Sequence, residues 1–94
     1  MDIVMPTVIK DGVMCSYDET ATDEYVVIPD GVEIIGSNCF ASASEIKEIV
    51  MPDSVTKICP GAFYGCTSLE KIKLSKNIKK IGESAFFIVK VLIV

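Results

Sequence analysis

The sequence contains no histidine among its 94 residues. Without histidine there is no imidazole general base and no Ser-His-Asp triad of the usual type. The four cysteines include no C-x-x-C pair, so they do not predict a zinc site. No glycine-rich loop of the kind that binds phosphate is present either. We therefore expect no enzyme, no metal and no cofactor.

Long hydrophobic runs are also missing. The most apolar segment, residues 85–94, is interrupted by Lys90 and is far shorter than the roughly 20 residues of a membrane-spanning helix. The first residues lack the basic and apolar regions of a secretory signal peptide. We predict no membrane span, and the sequence leaves open a cytosolic protein or a mature or excised fragment.

Charge is unevenly distributed. The net charge is −4, which argues against nucleic-acid binding as the main role. Residues 1–45 carry nine acids and one lysine, whereas residues 46–94 carry four acids and eight lysines. The acidic group at residues 18, 19, 23 and 24 is interpreted as a solvated loop, with a weak calcium site as the alternative.

What the sequence does have is a 23-residue unit that occurs three times in a row without insertions. Phe40, Phe63 and Phe86 lie 23 residues apart. The same spacing relates further apolar columns, among them Ile35, Ile58 and Ile81; Val26, Ile49 and Ile72; and Ile46, Leu69 and Leu92. A fixed period of this length predicts a solenoid, which is more often a binding surface than an active site.

Each repeat divides into three parts. Its first strand is predicted at residues 25–28, 47–51 and 71–74, and a second extended segment at 32–35, 55–58 and 78–81. A short helical or 3₁₀ turn is predicted at 37–41, 60–64 and 83–87. We expect the three phenylalanines to stack beneath the sheet, one layer about 4.8 Å from the next.

The first residues follow the repeat poorly and are predicted to form a cap. Asp11-Gly12 is a strong hairpin-turn dipeptide, so Thr7 to Tyr17 is predicted to be a β-hairpin that covers the first repeat. The predicted domains are therefore a cap at 1–24 and repeats at 25–94. The repeats span about 23–45, 46–68 and 69–91, with an incomplete C-terminal end.

The central repeat resembles the BspA-like leucine-rich repeat, whose unit reads L-x-x-I-x-L-P-x-x-L-x-x-I-G-x-x-A-F-x-x-C. The matching residues are Ile46-x-x-Ile49-x-Met51-Pro52-x-x-Val55-x-x-Ile58-x-x-x-Ala62-Phe63-x-x-Cys66. Ile35-Gly36 and Ile81-Gly82 match the I-G step, from which Cys59 departs. The resemblance covers about residues 9–92.

The resemblance implies a β-rich α/β solenoid, a short right-handed superhelix with parallel strands. It also implies a non-enzymatic protein-binding module, commonly from a bacterial cell-surface or secreted protein that acts as an adhesin for host matrix proteins. The chain differs from many members because it has only three repeats and ends without a polar cap.

Alternation along the strands predicts where a protein partner would bind. If Ile49 and Met51 face inward, their neighbours face outward. The predicted binding face is therefore Tyr25, Val27, Glu48, Val50, Lys71 and Lys73, with Tyr25 as its anchor. A plain solvated sheet face is the alternative.

Two features favour self-association instead. The apolar residues 85–94 would leave an uncapped edge strand, and the acidic half of one molecule is complementary to the basic half of another. The sequence thus leaves open a homo-oligomer formed through residues 85–94. The lysine cluster at 71, 73, 76, 79 and 80 is interpreted either as edge protection or as a patch for an acidic partner.

The cysteines divide into two pairs. Cys39 and Cys66 align with apolar columns and are predicted to be inert core thiols. Cys15 and Cys59 align with no apolar column, and the sequence leaves open whether they are thiols or a disulfide.

Overall fold

The strands of this protein are short and belong to two sheets. The structure is a computed structural model that describes residues 8–17, 24–86 and 92–93. In chain order the strands are β1 (Val8–Lys10), β2 (Val13–Ser16), β3 (Tyr25–Val27), β4 (Ile34–Ile35), β5 (Glu48–Val50), β6 (Lys57–Ile58), β7 (Lys71–Lys73), β8 (Lys80–Ile81) and β9 (Leu92–Ile93).

Each sheet gathers equivalent strands from successive repeats. One sheet has the order β1-β2-β4-β6-β8 and the other β3-β5-β7-β9. Apart from β1 with β2, all neighbouring strands are parallel. Tyr25 pairs with Glu48, and Glu48 with Lys71, so partners across β3, β5 and β7 are 23 residues apart. The predicted parallel stacking of equivalent residues is confirmed.

The predicted N-terminal hairpin is present and pairs with the first repeat. β1 and β2 are antiparallel, and β2 pairs in parallel with β4. Both turn residues have a positive φ, 53° at Asp11 and 79° at Gly12, as a type I′ hairpin turn requires. A Cβ at Gly12 would also lie 2.7 Å from the Glu33 carboxylate, so that side chain would have to move if the glycine were replaced. Thr7 lies outside the described residues.

The predicted helical turns are not found, and this corrects the α/β part of the expected fold. None of the described residues lies in a helix, and residues 37–42, 60–65 and 83–86 form turns. The Cys39 N–H donates to the Gly36 carbonyl, three residues earlier, and Asn38 between them has a φ of 57°. A positive φ at the third turn position is typical of a type II turn and cannot continue a right-handed helix.

The same turn occurs at equivalent places in the other repeats. The Ala62 N–H donates to Cys59 around Gly61, whose φ is 70°. In the last repeat the Ala85 N–H donates to Gly82, and Ser84 has a φ of 57°. Pro60 therefore occupies the second position of a turn, which its fixed φ suits, and does not begin a helix.

The core is a set of parallel columns that run through the layers. The phenylalanine rings stack as predicted, with centroids 5.1 Å apart both from Phe40 to Phe63 and from Phe63 to Phe86. Phe63, which has a ring on both sides, is fully buried. Burying one such ring contributes about 4–5 kcal/mol gross of hydrophobic free energy, which explains why the column organises the fold.

Two parts of the expected architecture stay predictions. The right-handed superhelix follows from the resemblance alone. The boundary between the cap and the repeats falls next to residues 18–23, which lie outside the described residues.

Candidate protein-binding face

The predicted binding residues lie together on the outer side of the four-stranded sheet. In β3, β5 and β7 the middle residue is buried and its two neighbours point outward. The strand register then places them in two adjacent rows. We call this surface the β3–β5–β7 face, and it consists of Tyr25, Glu48 and Lys71 in one row and Val27, Val50 and Lys73 in the other.

The apolar part of this face is concentrated at one end. Tyr25 is 58% exposed and Val27 is 59% exposed, although both are large hydrophobic residues. Val50 beside Val27 is partly covered, and Lys73 beyond it is exposed. Tyrosine is enriched among the residues that anchor interfaces, and here an exposed valine lies two residues away on the same face of the strand.

Charged residues of the face pair with one another across layers. The Lys71 Nζ lies 3.9 Å from the Glu48 Oε1. Lys47 and Glu24, which each precede a residue of the face by one position, form a similar pair, with the Lys47 Nζ 3.5 Å from the Glu24 Oε1. Both pairs are largely exposed, so each contributes at most about 1 kcal/mol to stability. Lys47 and Lys71 thus lie beside acids, whereas Tyr25 and Val27 expose apolar surface.

The lysine cluster spreads over more than one surface. Lys76 is held by Asp53, whose carboxylate accepts its backbone N–H at 3.1 Å and lies 3.6 Å from its Nζ. Lys80 is on β8, an edge strand of the five-stranded sheet. A lysine there is typical of edge protection, while Lys73 and Lys79 are exposed. The two interpretations of the cluster both stay predictions.

The two buried cysteines are unreactive thiols. Burial raises the pKa of the Cys39 thiol to about 12, with a smaller contribution from Cys15 and Cys66 nearby. Burial also raises the pKa of Cys66 to about 11, and its Sγ donates to the Phe40 carbonyl at 3.0 Å. Both are thus neutral thiols at physiological pH, which confirms the predicted core role. All four cysteines are free, with Cys15 exposed and Cys59 partly exposed.

Within the described ranges, no three His, Cys, Asp or Glu side chains come close enough to hold a metal ion. Three of the four acids considered for calcium, Asp18, Glu19 and Asp23, lie outside those ranges. The part of the chain that the structure describes also holds no helix that is long and apolar enough to cross a membrane. No buried side-chain nitrogen or oxygen there lacks a hydrogen-bond partner.

A second surface feature lies on the turn side. An open groove of about 420 Å³ runs across the three layers there. Its lining includes Ser37, Asn38, Pro60, Tyr64, Glu83 and Ser84. Equivalent positions of the repeats carry different residue types along this groove, so the repeat pattern gave no signal for it.

One further ring, which the repeat pattern did not predict, belongs to the ring column. The Tyr17 ring lies 4.9 Å from the Phe40 ring, centroid to centroid, at an interplanar angle of 33°. The signal was present, because Tyr17 is 23 residues before Phe40. The poor match of the other cap residues to the repeat concealed it.

Comparison with known proteins agrees with this architecture. The family model described as BspA type leucine rich repeat region (6 copies) matches residues 14–92. A solved structure of a leucine rich cell surface protein from Faecalibacterium prausnitzii A2-165 is similar, with a TM-score of 0.75 and 28% sequence identity. The similarity covers 87% of this chain and 25% of that one, so this chain spans about a quarter of its length. No curated protein gives a significant match.

Proposed function

This chain belongs to the BspA-type leucine-rich repeat family, and from that premise we propose that it is a non-enzymatic protein-binding module whose binding surface is the β3–β5–β7 face. The observation that carries the proposal is the exposure of Tyr25 and Val27, two residues apart on the outer side of β3. Exposed apolar residues that lie together on one surface are typical of interaction sites.

We place the module in a bacterial cell-surface or secreted protein with an adhesin-like role. The similar solved structure is that of a leucine rich cell surface protein, which supports this location. The binding mode follows from the rigid scaffold, because short parallel strands hold the side chains in two fixed rows. A preorganised surface loses little conformational entropy when a partner binds.

Surface plasmon resonance on immobilised fibronectin, laminin and collagen tests this function. The wild-type chain should bind at least one of these matrix proteins. The Tyr25→Ala/Val27→Ala variant should bind about tenfold or more weakly, since truncation of an anchor residue costs about 1–2 kcal/mol. Both residues are more than half exposed, so the variant should keep the wild-type stability.

Tyr64→Ala is the matched control, because Tyr64 is also exposed, at 40%, but lies on the groove side. Its affinity should equal that of the wild type. Absence of wild-type binding to all the matrix proteins would contradict the adhesin-like role. Loss of binding in the Tyr64 variant alone would move the binding surface to the groove.

A second function, self-assembly through the apolar C-terminal end at residues 85–94, is favoured by a specific observation. Ile81, just before that segment, is 47% exposed, whereas Ile35 and Ile58 at the equivalent positions are fully buried. The column of Ile35, Ile58 and Ile81 thus ends in a half-exposed residue. This function predicts that the apparent mass rises with protein concentration in size-exclusion chromatography with light scattering.

A further inference from the structure

The lysine cluster occupies outward positions of one layer. Its five members are exposed and lie on β7, on β8 and on the connection between these strands: Lys71, Lys73, Lys76, Lys79 and Lys80. Between them, Ile72 and Ser75 are buried. Because β7 and β8 belong to different sheets, the cluster follows the outer surface around the corner at which the chain passes from one sheet to the other.

The fold does not require lysine at these positions. The equivalent outward residues are Tyr25, Val27, Asp30, Glu33 and Ile34 in the first repeat and Glu48, Val50, Asp53, Thr56 and Lys57 in the second. Residues 24–34 carry three acids and no lysine, residues 47–57 two acids and two lysines, and residues 70–80 one acid and five lysines. The same stack thus accepts an acidic, a neutral or a basic surface, so core packing does not select the five lysines.

Edge protection does not explain the whole cluster. β7 lies between β5 and β9 in its sheet, so Lys71 and Lys73 are not on an edge strand. In the other sheet, Lys80 pairs with Lys57 on the neighbouring strand β6. Like charges on directly neighbouring residues of a sheet are destabilising. A bound anion would remove that repulsion.

The acids near the cluster compensate it only in part. The Lys71 Nζ lies 3.9 Å from Glu48, and the Lys76 Nζ lies 3.6 Å from Asp53. Ion pairs that are this open to solvent are weak, so both lysines can exchange the carboxylate for another anion. Among the described residues, the remaining three lysines of the cluster take part in no ion pair.

We propose that the lysine cluster binds a sulfated glycosaminoglycan, a linear and flexible sugar chain with many negative charges. Short lysine-rich segments are typical of patches that bind heparin or nucleic acid. Each lysine is a separate point charge on a flexible stem, which suits sulfate groups spaced along such a chain. The proposal goes beyond the protein-binding function, because its ligand is a sugar chain and its site includes neither Tyr25 nor Val27.

Three features favour a sugar chain over other anionic partners. The cluster bends around a corner, so a flat membrane or a rigid duplex would touch only part of it. The sequence contains no arginine, on which the recognition of phosphorylated peptides depends. Residues 70–80 include no aromatic side chain on which the bases of a single-stranded nucleic acid could stack.

Two variants test the proposal, one on each side of the corner. Lys71→Gln/Lys73→Gln removes two charges from β7, and Lys79→Gln/Lys80→Gln removes two charges at β8. All four residues are exposed, so both variants should keep the wild-type fold, which circular dichroism checks. Fluorescence anisotropy with a labelled heparin fragment measures the dissociation constant from about 50 to about 200 mM NaCl.

The matched control is Lys10→Gln/Lys47→Gln. It changes the net charge by the same amount at two exposed lysines outside the cluster. Lys47 pairs with Glu24, which lies on the opposite side of β5 from the lysines of β7. The control should bind heparin like the wild type, and so should Tyr25→Ala/Val27→Ala.

Each cluster variant should bind heparin about tenfold more weakly than the wild type, because it loses two charge contacts. The salt dependence should change as well. If each contact releases counterions as on a single-stranded polyanion, the slope of log Kd against log salt should fall by about 1.4 in each variant.

Four outcomes would overturn the proposal. The first is a wild-type chain that does not bind heparin at about 50 mM NaCl, a result that leaves binding to matrix proteins untouched. The second is an equal loss of affinity in the control, which would show an effect of net charge alone. The third is a loss in only one cluster variant, which would show that the ligand does not follow the corner. The fourth is equal affinity for unsulfated hyaluronan or for a single-stranded oligonucleotide, which would show a general site for polyanions.

Discussion

At the scale of single residues, position in a column determines the contribution of a side chain. Phe63 has a ring 5.1 Å away on each side, while Phe86 has one described ring neighbour, Phe63. Phe63 is fully buried and Phe86 is partly buried. The two residues have the same side chain and the same repeat position, yet the packing that each would lose on truncation differs.

We therefore expect unequal costs from the same substitution. Phe63→Ala should lower the free energy of unfolding by about 3–5 kcal/mol, because it removes a fully buried ring from the middle of the stack. Phe86→Ala should cost about half as much. Urea denaturation followed by far-UV circular dichroism measures both, with Tyr25→Ala as an exposed control that should change stability by less than about 0.5 kcal/mol. Equal costs for the two phenylalanines would contradict the column model.

At the scale of elements, the turns carry backbone strain that differs between repeats. The third turn position is Asn38, Gly61 and Ser84 in successive repeats, and all three have a positive φ. Glycine adopts this conformation without a steric cost, whereas another residue loses about 1–2 kcal/mol there. In the middle repeat a Cβ at Gly61 would also collide with the Asn38 side chain of the preceding repeat, so one neighbouring layer also constrains the residue type.

Ser84→Gly should therefore stabilise the last repeat. Relief of the left-handed conformation should outweigh the added entropy of the unfolded chain, and a net gain of about 0.5–1 kcal/mol corresponds to a rise in Tm of a few degrees. Differential scanning calorimetry measures it.

The matched control is Glu83→Gly, one residue earlier, where the middle repeat has Pro60 and φ is not positive. That variant should lower Tm, because it adds only flexibility. A lower Tm for Ser84→Gly would show that the serine side chain stabilises the turn more than its backbone conformation destabilises it.

At the scale of the whole molecule, stability should decrease from the middle layer toward the ends. Repeat proteins derive much of their stability from contacts between nearest neighbours, and the middle layer has a neighbour on both sides. Three equivalent amides report on successive layers. Gly36 donates to Met14, Cys59 to Ile35 and Gly82 to Ile58, at N···O distances of 2.7–2.9 Å.

Because these three hydrogen bonds have similar lengths, differences between the exchange rates of their amides report differences in stability between the layers. After correction for intrinsic rates, native-state hydrogen exchange should be slowest at Cys59, intermediate at Gly36 and fastest at Gly82, with about tenfold or more between the extremes. Equal protection of all three amides would mean that the chain opens only by global unfolding. The measurement is made at low protein concentration, since self-assembly through residues 85–94 would protect Gly82.

Much of this organisation follows from the sequence alone. The 23-residue period determined which side chains share a column, because insertion-free repeats place equivalent residues in the same register. It therefore predicted the phenylalanine stack, the parallel strands and the two rows of the β3–β5–β7 face. Asp11-Gly12 determined the hairpin locally, since both of its residues tolerate a positive φ.

The tertiary structure determined the properties that depend on adjacent layers, which are the exposure of side chains and the conformation of the turns. Ile35, Ile58 and Ile81 are equivalent in sequence, yet two are buried and the third is 47% exposed, because exposure is set by the layers above and below. The turns replaced predicted helices for a similar reason, since the short segments are stabilised by hydrogen bonds between layers, such as Phe40 N–H to the Ala62 carbonyl at 2.7 Å. The repeat pattern specifies which residues are equivalent. How deeply each of them is buried depends on whether its layer lies in the middle of the stack or at an end.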